Sequence, residues 1–225
     1  MSTTSRPPAH GPAAAREPAW LPAGRGQPVT QNDLEATPWY GKRVEAVDGA
    51  VHISPFTRVQ RDELPDDGRR HELLDGTLVM SPSPTRRHQR AVFRLGVLLD
   101  ASAPPSLEVF VAPCDVVLAD TTVVEPDAFV TLREDLDSPN PSLPLLVIEV
   151  LSPSTRRVDL GAKKNAYEAA GIADYWVVDP DDQTITAWQL DSSGRYREVT
   201  RAAGEETFSV SAPFELSLTP SHIFD

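Results

Sequence analysis

The stretch LLVIEVLSPST, residues 145–155, is the natural starting point. Leu145, Leu146, Val147 and Ile148 form an apolar run suited to a buried strand, and Val150 and Leu151 continue it. Glu149 puts a carboxylate in the middle of that run. Side chains alternate along a strand, so Leu145, Val147, Glu149 and Leu151 share one face. An isolated ionised carboxylate in such a setting is costly enough that it either protonates or finds a cation.

Working outward, residues 133–144 (REDLDSPNPSLP) are polar and carry prolines, which marks a loop. Before the loop, Val123 to Leu132 reads as a strand with Val123, Glu125, Asp127 and Phe129 on one face, giving a second acid among apolar residues. Leu107 to Ala112 and Asp115 to Ala119 read as further strands. After SPSTRR, a helix is expected from Asp159 to Ala170, closed by Gly171. Strands follow at Tyr175 to Val178 and Thr184 to Leu190, separated by the turn Asp179-Pro180-Asp181-Asp182. Asp191-Ser192-Ser193-Gly194 marks another turn, and further strands lead to the C-terminal tail. Upstream, Phe56 to Leu64 fits a short helix, and HELLDGTLVM (residues 71–80) fits two strands around the hairpin dipeptide Asp75-Gly76. Thr85 caps a helix that buries His88, Val92, Leu95 and Leu99 and stops before Pro104-Pro105. The sum is an α/β (α+β) domain with a mixed central sheet flanked by helices.

Two acids on neighbouring strands can share one divalent metal, and Mg²⁺ suits them because it takes hard oxygen ligands and is usually held by one or two carboxylates. The plainer alternative has Asp127 capping a turn after Pro126 and Glu149 paired with an arginine. In the helix after the Glu149 strand, Leu160, Ala166, Tyr167 and Ala170 mark an apolar arc at 100° per residue with Lys163 near its centre and Lys164 at its edge. A lysine there either meets the acids, where it can position an attacking water and stabilise developing charge, or snorkels to solvent.

The chain has 225 residues, enough for one domain and a tail, and a formal net charge of -12. That balance excludes a protein coated in positive potential, though not a local basic groove for nucleic acid. Arg86, Arg87, Arg90 and Arg94 form one basic group, and Arg156, Arg157, Lys163 and Lys164 a second; either could line a phosphate-binding groove, though solvated faces and loops are the commoner account of any one of them. Cys114 is the only cysteine, so an internal disulfide and a cysteine-based zinc site are excluded, and a cytoplasmic location fits. The N-terminus lacks a secretory apolar core, and no membrane span is expected. Seven of the 22 prolines fall in the first 40 residues. Residues 1–54 are therefore expected to be a disordered tail, with Trp20, Trp39 and Tyr40 as candidates for docking on the domain or on a partner, and residues 55–225 the folded domain.

The segments HELLDGTLVMSPSP, His88-Gln89, EPDAFV, PLLVIEVLSPST and KKNAYEAAGIADYWVVDP together resemble the Uma-type restriction endonucleases, a branch of the PD-(D/E)XK nuclease superfamily. The resemblance spans about residues 55 to 190. It implies a restriction-endonuclease-like fold with Mg²⁺ (or Mn²⁺) at one end of the sheet. Matched position by position, it makes Asp127 and Glu149 the motif acids and adds Glu72 as a third acid near the same site. The sequence departs from the superfamily signature two positions after Glu149, where Leu151 stands in place of lysine. In the Uma-type branch the lysine lies on the next helix, which here is Lys163, the residue the helical arc selects as well. His88 is a candidate for touching substrate phosphate or supporting the acids, with a hydrogen-bonded core histidine as the alternative; Arg156 and Lys164 are candidate substrate contacts.

The expected function is metal-dependent phosphodiester cleavage of DNA, with Asp127, Glu149 and Glu72 as ligands and Lys163 as the catalytic cation. The alternative is a nuclease-fold binding or regulatory protein without efficient turnover. The target and the pathway stay open, as does whether a homodimer is the active form.

Overall fold

A computed structural model of the chain describes residues 43–47, 50–64, 70–81, 83–139 and 141–224. In chain order they form β1 (Arg43–Val47), β2 (Ala50–Ser54), α1 (Arg58–Asp62), β3 (Arg70–Leu74), β4 (Thr77–Ser81) and α2 (Arg86–Ser102). There follow β5 (Leu107–Val111), β6 (Val116–Ala119), β7 (Thr122–Val124), β8 (Ala128–Leu132) and β9 (Leu146–Val150). A helical segment, α3, comprises α-helical Arg156–Val158, π-helical Asp159–Lys163 and α-helical Lys164–Ala170. Next come β10 (Asp174–Asp179), β11 (Thr184–Leu190), β12 (Tyr196–Ala203), β13 (Phe208–Val210), β14 (Leu216–Leu218) and the short α4 (Ser221–Phe224).

The mixed central sheet has the order β12-β11-β10-β9-β8-β5. β9 and β10 run parallel, and the other neighbours are antiparallel. Every residue of β9 is buried because both faces of the sheet are covered. On one face Leu146, Ile148 and Val150 pack with Val92, Leu95 and Leu99 of α2. On the other, Val147 and Leu151 pack with Tyr167 of α3 and with Leu74, Val79 and Val124 of a second sheet. Each such aliphatic side chain contributes about 1.5–3 kcal/mol by burial, which holds β9 rigidly in place around its one acid.

The second sheet, β1-β2-β4-β3-β7-β6, is antiparallel throughout. Two sequence expectations change here. The single strand expected from Val123 to Leu132 is two strands in different sheets, β7 and β8, broken at Glu125-Pro126-Asp127, where proline cannot donate to a ladder. The boundary at residue 55 also moves: residues 43–47 and 50–54, assigned to the tail, form β1 and β2, and β2 pairs with β4. The expected disorder of the tail, and Trp20, Trp39 and Tyr40, lie outside the described residues.

Two local signals act as expected. Asp75 and Gly76 turn the β3–β4 hairpin with φ of 46° and 74°, and the Thr85 side chain caps α2 by accepting from the His88 N–H at 3.2 Å. Among the described residues no helix is long and apolar enough to cross a membrane.

Gly171 ends α3 at φ 85°, with its own N–H and that of Ile172 both donating to the Tyr167 carbonyl. Open space surrounds the point where a Cβ would sit, so Gly171→Ala meets only the backbone cost of the left-handed region, about 1 kcal/mol of stability by urea unfolding. Gly161, on the same segment with equally open space and no left-handed φ, is the control: Gly161→Ala is expected to be neutral or stabilising by up to about 1 kcal/mol.

Candidate active site

β8 and β9 pair with Ala128 opposite Ile148 and Phe129 opposite Val147. Continuing that register by one residue brings Asp127 beside Glu149. β3, in the other sheet, supplies Glu72, and α3 supplies Lys163. Glu72, Asp127, Glu149 and Lys163 are each 1–2 % exposed.

The Lys163 Nζ lies 2.8 Å from Glu72 Oε1, 2.8 Å from Glu149 Oε1 and 3.6 Å from Asp159 Oδ1. Glu149 Oε1 also accepts from the Tyr167 hydroxyl at 2.6 Å, and Glu72 Oε1 from the Glu125 N–H at 2.8 Å. Asp127 is held from three sides. Its Oδ2 accepts from the Val150 N–H at 2.8 Å and faces His88 Nε2 at 3.1 Å, while its Oδ1 accepts from Arg70 at 3.0 Å. Arg70 Nε pairs with Glu125 at 2.6 Å as well. Charged hydrogen bonds are each worth about 1.5–3 kcal/mol, and two of them to Glu149 are what makes its burial tolerable.

α3 delivers these groups through its π-helical stretch. Asp159, Lys163 and Tyr167 are the buried residues of the segment, four apart, and the wider π turn holds that spacing on one face. Leu160, expected in the buried arc, is 40 % exposed instead. Leu151, where the signature lysine would stand, is buried in the apolar cluster beside Tyr167.

Of the expected substrate contacts, His88 is buried against Asp127. Arg156 pairs with Asp179 at 2.6 Å, and the Lys164 Nζ sits 3.9 Å from the Trp188 ring centroid, so neither joins the acid cluster. Sequence reasoning missed Arg70, Glu125, Asp159 and the tyrosine hydroxyl. Signals for some of them existed: Asp159, Lys163 and Tyr167 recur every fourth residue, and Arg70 shares a strand face with Glu72.

Five carboxylates (Glu72, Glu125, Asp127, Glu149, Asp159) thus surround two permanent cations, Arg70 and Lys163. Burial drives the Glu149 carboxyl well above its usual range; Lys163 opposes this, but one ammonium shared among three acids does not win, and Asp159, Asp127 and Glu72 add repulsion. Burial likewise pushes Asp159 up to about 6 against the pull of Lys163. For Asp127, burial is outweighed by the His88 hydrogen bond and the Arg70 charge, which hold it below the usual carboxylate range. Burial alone would lower Lys163, yet Glu149, Glu72 and Asp159 keep it charged.

The donor chemistry fits a hard divalent cation: oxygen ligands, an excess of negative charge, and a buried Asp159 Oδ2 with no hydrogen-bond partner. The coordination sphere is not preassembled. Among the described residues no group of three or more His, Cys, Asp and Glu is arranged to hold a metal, and Lys163, Arg70 and His88 each pair with one or more of the acids.

The raised Asp159 carboxyl has a consequence for stability. Its folded pKa exceeds its ordinary value of 3.8, so the folded protein binds the proton more tightly than the unfolded chain. The stability this group contributes below pH 4 is lost as pH rises through about 6. Metal-free Asp159→Asn is therefore expected to be more stable than wild type at pH 7.5, with the advantage shrinking toward pH 4; urea unfolding at both pH values reads the difference. An unchanged gap between pH 4 and 7.5 contradicts this account of Asp159.

Residues 58–221 match the Uma2 family model, whose description is "Putative restriction endonuclease". Among solved structures, a chain from Anabaena variabilis ATCC 29413, described as a "putative nuclease belonging to DUF820", superposes with a TM-score of 0.62 at 19% sequence identity, covering 76% of this chain and 98% of that one. That likeness shows the same fold. No curated protein matches the chain. With the family model covering most of the chain, and with the mixed sheet and flanking helices of that fold, the protein belongs to the Uma2 family.

Proposed function

We propose that this protein is a divalent-metal-dependent phosphodiesterase that cuts DNA, using Asp127 and Glu149, with Glu72 beside them, to hold Mg²⁺ or Mn²⁺. The observation that carries it is the meeting of Asp127 and Glu149 across β8 and β9 with Lys163 arriving from α3, in a cluster with more negative charge than its own cations balance. When bound, the metal supplies Lewis-acid polarisation of the phosphoryl group and a more acidic bound water.

The chain's own groups do the rest. The Val150 N–H and His88 fix Asp127, and the Tyr167 hydroxyl fixes Glu149, so the two acids keep their orientation as charge builds nearby. Lys163, released from part of its hold on Glu72 and Glu149 once their charge is shared, orients the attacking water and stabilises the developing negative charge. Arg70 and Glu125, 17 % and 15 % exposed at their side chains, are the most accessible members of the cluster, and Arg70 is the cation that an incoming phosphate meets first. Family membership supports the reaction class.

The pairing of these acids with Arg70 and Lys163 favours a second reading, a nuclease-fold binding protein whose acids stay so paired. A melting-temperature titration with Mn²⁺ separates the two. A ligand at about 100 times its Kd adds about 2.7 kcal/mol, so the enzyme should show a clear rise that Asp127→Asn erases. No rise with either Mg²⁺ or Mn²⁺ favours the binding protein.

On the enzyme reading, purified protein cuts DNA with Mg²⁺ or Mn²⁺, and chelator stops it. Lys163→Ala lowers the rate by at least about 100-fold. Because removing a cation from buried acids costs about 3–5 kcal/mol, Lys163→Arg serves as the folded companion variant and should also be slow, with its melting temperature near wild type. Full activity in folded Lys163→Ala would sink this mechanism.

A further inference from the structure

Of the acids that meet the Lys163 ammonium, Asp159 is the odd member. Glu72 and Glu149 each stand 2.8 Å from Nζ, whereas Asp159 Oδ1 stands at 3.6 Å, just beyond a hydrogen bond. An ammonium has three protons to donate, and the two glutamates take two of them. Asp159 is 1 % exposed, and its Oδ2 is buried without a hydrogen-bond partner. Folded proteins pair nearly all buried polar atoms, so an open carboxylate oxygen beside a buried cation asks for an explanation.

The backbone of Asp159 is firmly held. Its N–H donates to the Thr155 carbonyl at 2.9 Å, and its own carbonyl accepts from the Tyr175 hydroxyl at 2.9 Å. Tyr175 belongs to β10, which runs parallel beside the Glu149 strand. The π-helical stretch is thereby tied to the mixed sheet at Asp159, while Lys163, four residues on, carries its charge on a four-carbon stem that can redirect it.

We propose that Asp159 is a positioning residue: it takes the Lys163 ammonium when Glu72 and Glu149 turn to a bound divalent cation, and keeps it beside the reacting groups. The inference rests on the reading of Asp127, Glu149 and Glu72 as metal ligands and gives a role to an acid outside that set. Charge calls for such a group. A dication at the glutamates draws away the oxygens that hold Nζ and repels the ammonium, and a buried cation left without an acid is strongly unfavourable. Asp159 offers Oδ1 after a short shift of Nζ, and Oδ2 is unclaimed. Lys163 thus has two stations, the glutamates without metal and Asp159 with it. In the second, protons formerly given to Glu72 and Glu149 are available to orient water.

Crystals of the full 225-residue chain grown with Mg²⁺ or Mn²⁺ read the position of Nζ directly. With metal at Asp127 and Glu149, Nζ is expected within about 3.2 Å of an Asp159 oxygen and farther than that from at least one glutamate. Metal bound with the lysine still on both glutamates, or with Asp159 itself as a ligand, overturns the proposal and leaves the proposed function standing. Crystals without metal at the acids, together with a melting temperature indifferent to both ions, overturn both. In solution, Asp159→Asn should lower kcat on DNA at least about tenfold with KM within about threefold, and Asp159→Glu should bring kcat back to within about threefold of wild type. Wild-type kcat in Asp159→Asn overturns the proposal. Mn²⁺ affinity by calorimetry distinguishes holding the lysine from merely adding negative charge. Asp159→Asn should weaken Mn²⁺ about tenfold with Lys163 present and by less than about threefold in a Lys163→Met background. Equal weakening in the two backgrounds overturns the proposal, and if Lys163→Met does not fold, the position of Nζ in the metal-bound crystals decides.

Discussion

The buried ammonium of Lys163 stands 2.8 Å from Glu72 and Glu149 and 3.6 Å from Asp159, and three separate parts of the fold depend on it. Glu72 comes from the antiparallel sheet, Glu149 from the centre of the mixed sheet, and Asp159 from the same helical segment as the lysine itself. Without that cation, the apolar packing that joins the two sheets would have to enclose uncompensated carboxylates, each costing several kcal/mol. With it, the charge is only partly balanced, which is why burial keeps Glu149 and Asp159 unusually hard to ionise. The core is thus closed around a site under electrostatic tension, the condition in which pKa perturbation and function tend to coincide.

Two geometric devices set that tension. The antiparallel register of β8 and β9 brings Asp127 beside Glu149, and the break at Pro126 frees Asp127 from the strand before it, so its carboxylate can receive Arg70, His88 and the Val150 N–H. The π-helical stretch keeps Asp159, Lys163 and Tyr167 in one buried column. Position 151 is then available for packing. Leu151 occupies the apolar cluster with Tyr167, while the cation reaches the same acids from the helix. Lys163 and the π turn together bring a cation to these acids.

The division between the two halves of the molecule has a functional logic as well. Acids and cations gather where the two sheets and α3 meet, while the opposite face of the mixed sheet is a purely apolar contact with α2, capped by β13, β14 and α4. α2 touches both, lending His88 to Asp127 at its start and Leu95 and Leu99 to the core further along. Its solvent side leaves Phe93 and Val97 exposed.

Much of this was legible in the chain itself. Apolar runs, the Thr85 cap, the Asp75-Gly76 turn and the Gly171 stop are local signals, and the strands and helices they mark form largely as read because neighbours in sequence govern them. Glu149 in its apolar run and Lys163 four before Tyr167 announced buried charge for the same reason. What the sequence could not decide was which strands share a sheet. Val123 to Leu132 looks continuous, yet its halves pair with different partners, and hydrogen-bond partners distant in sequence leave no local mark. Nor could it reveal Arg70, Glu125 and Asp159 as members of the cluster, since their burial follows from how two sheets and a π-widened helix close on one another. Local chemistry chose the acids and the lysine; only tertiary packing determined how many charges meet there and how few cations they share.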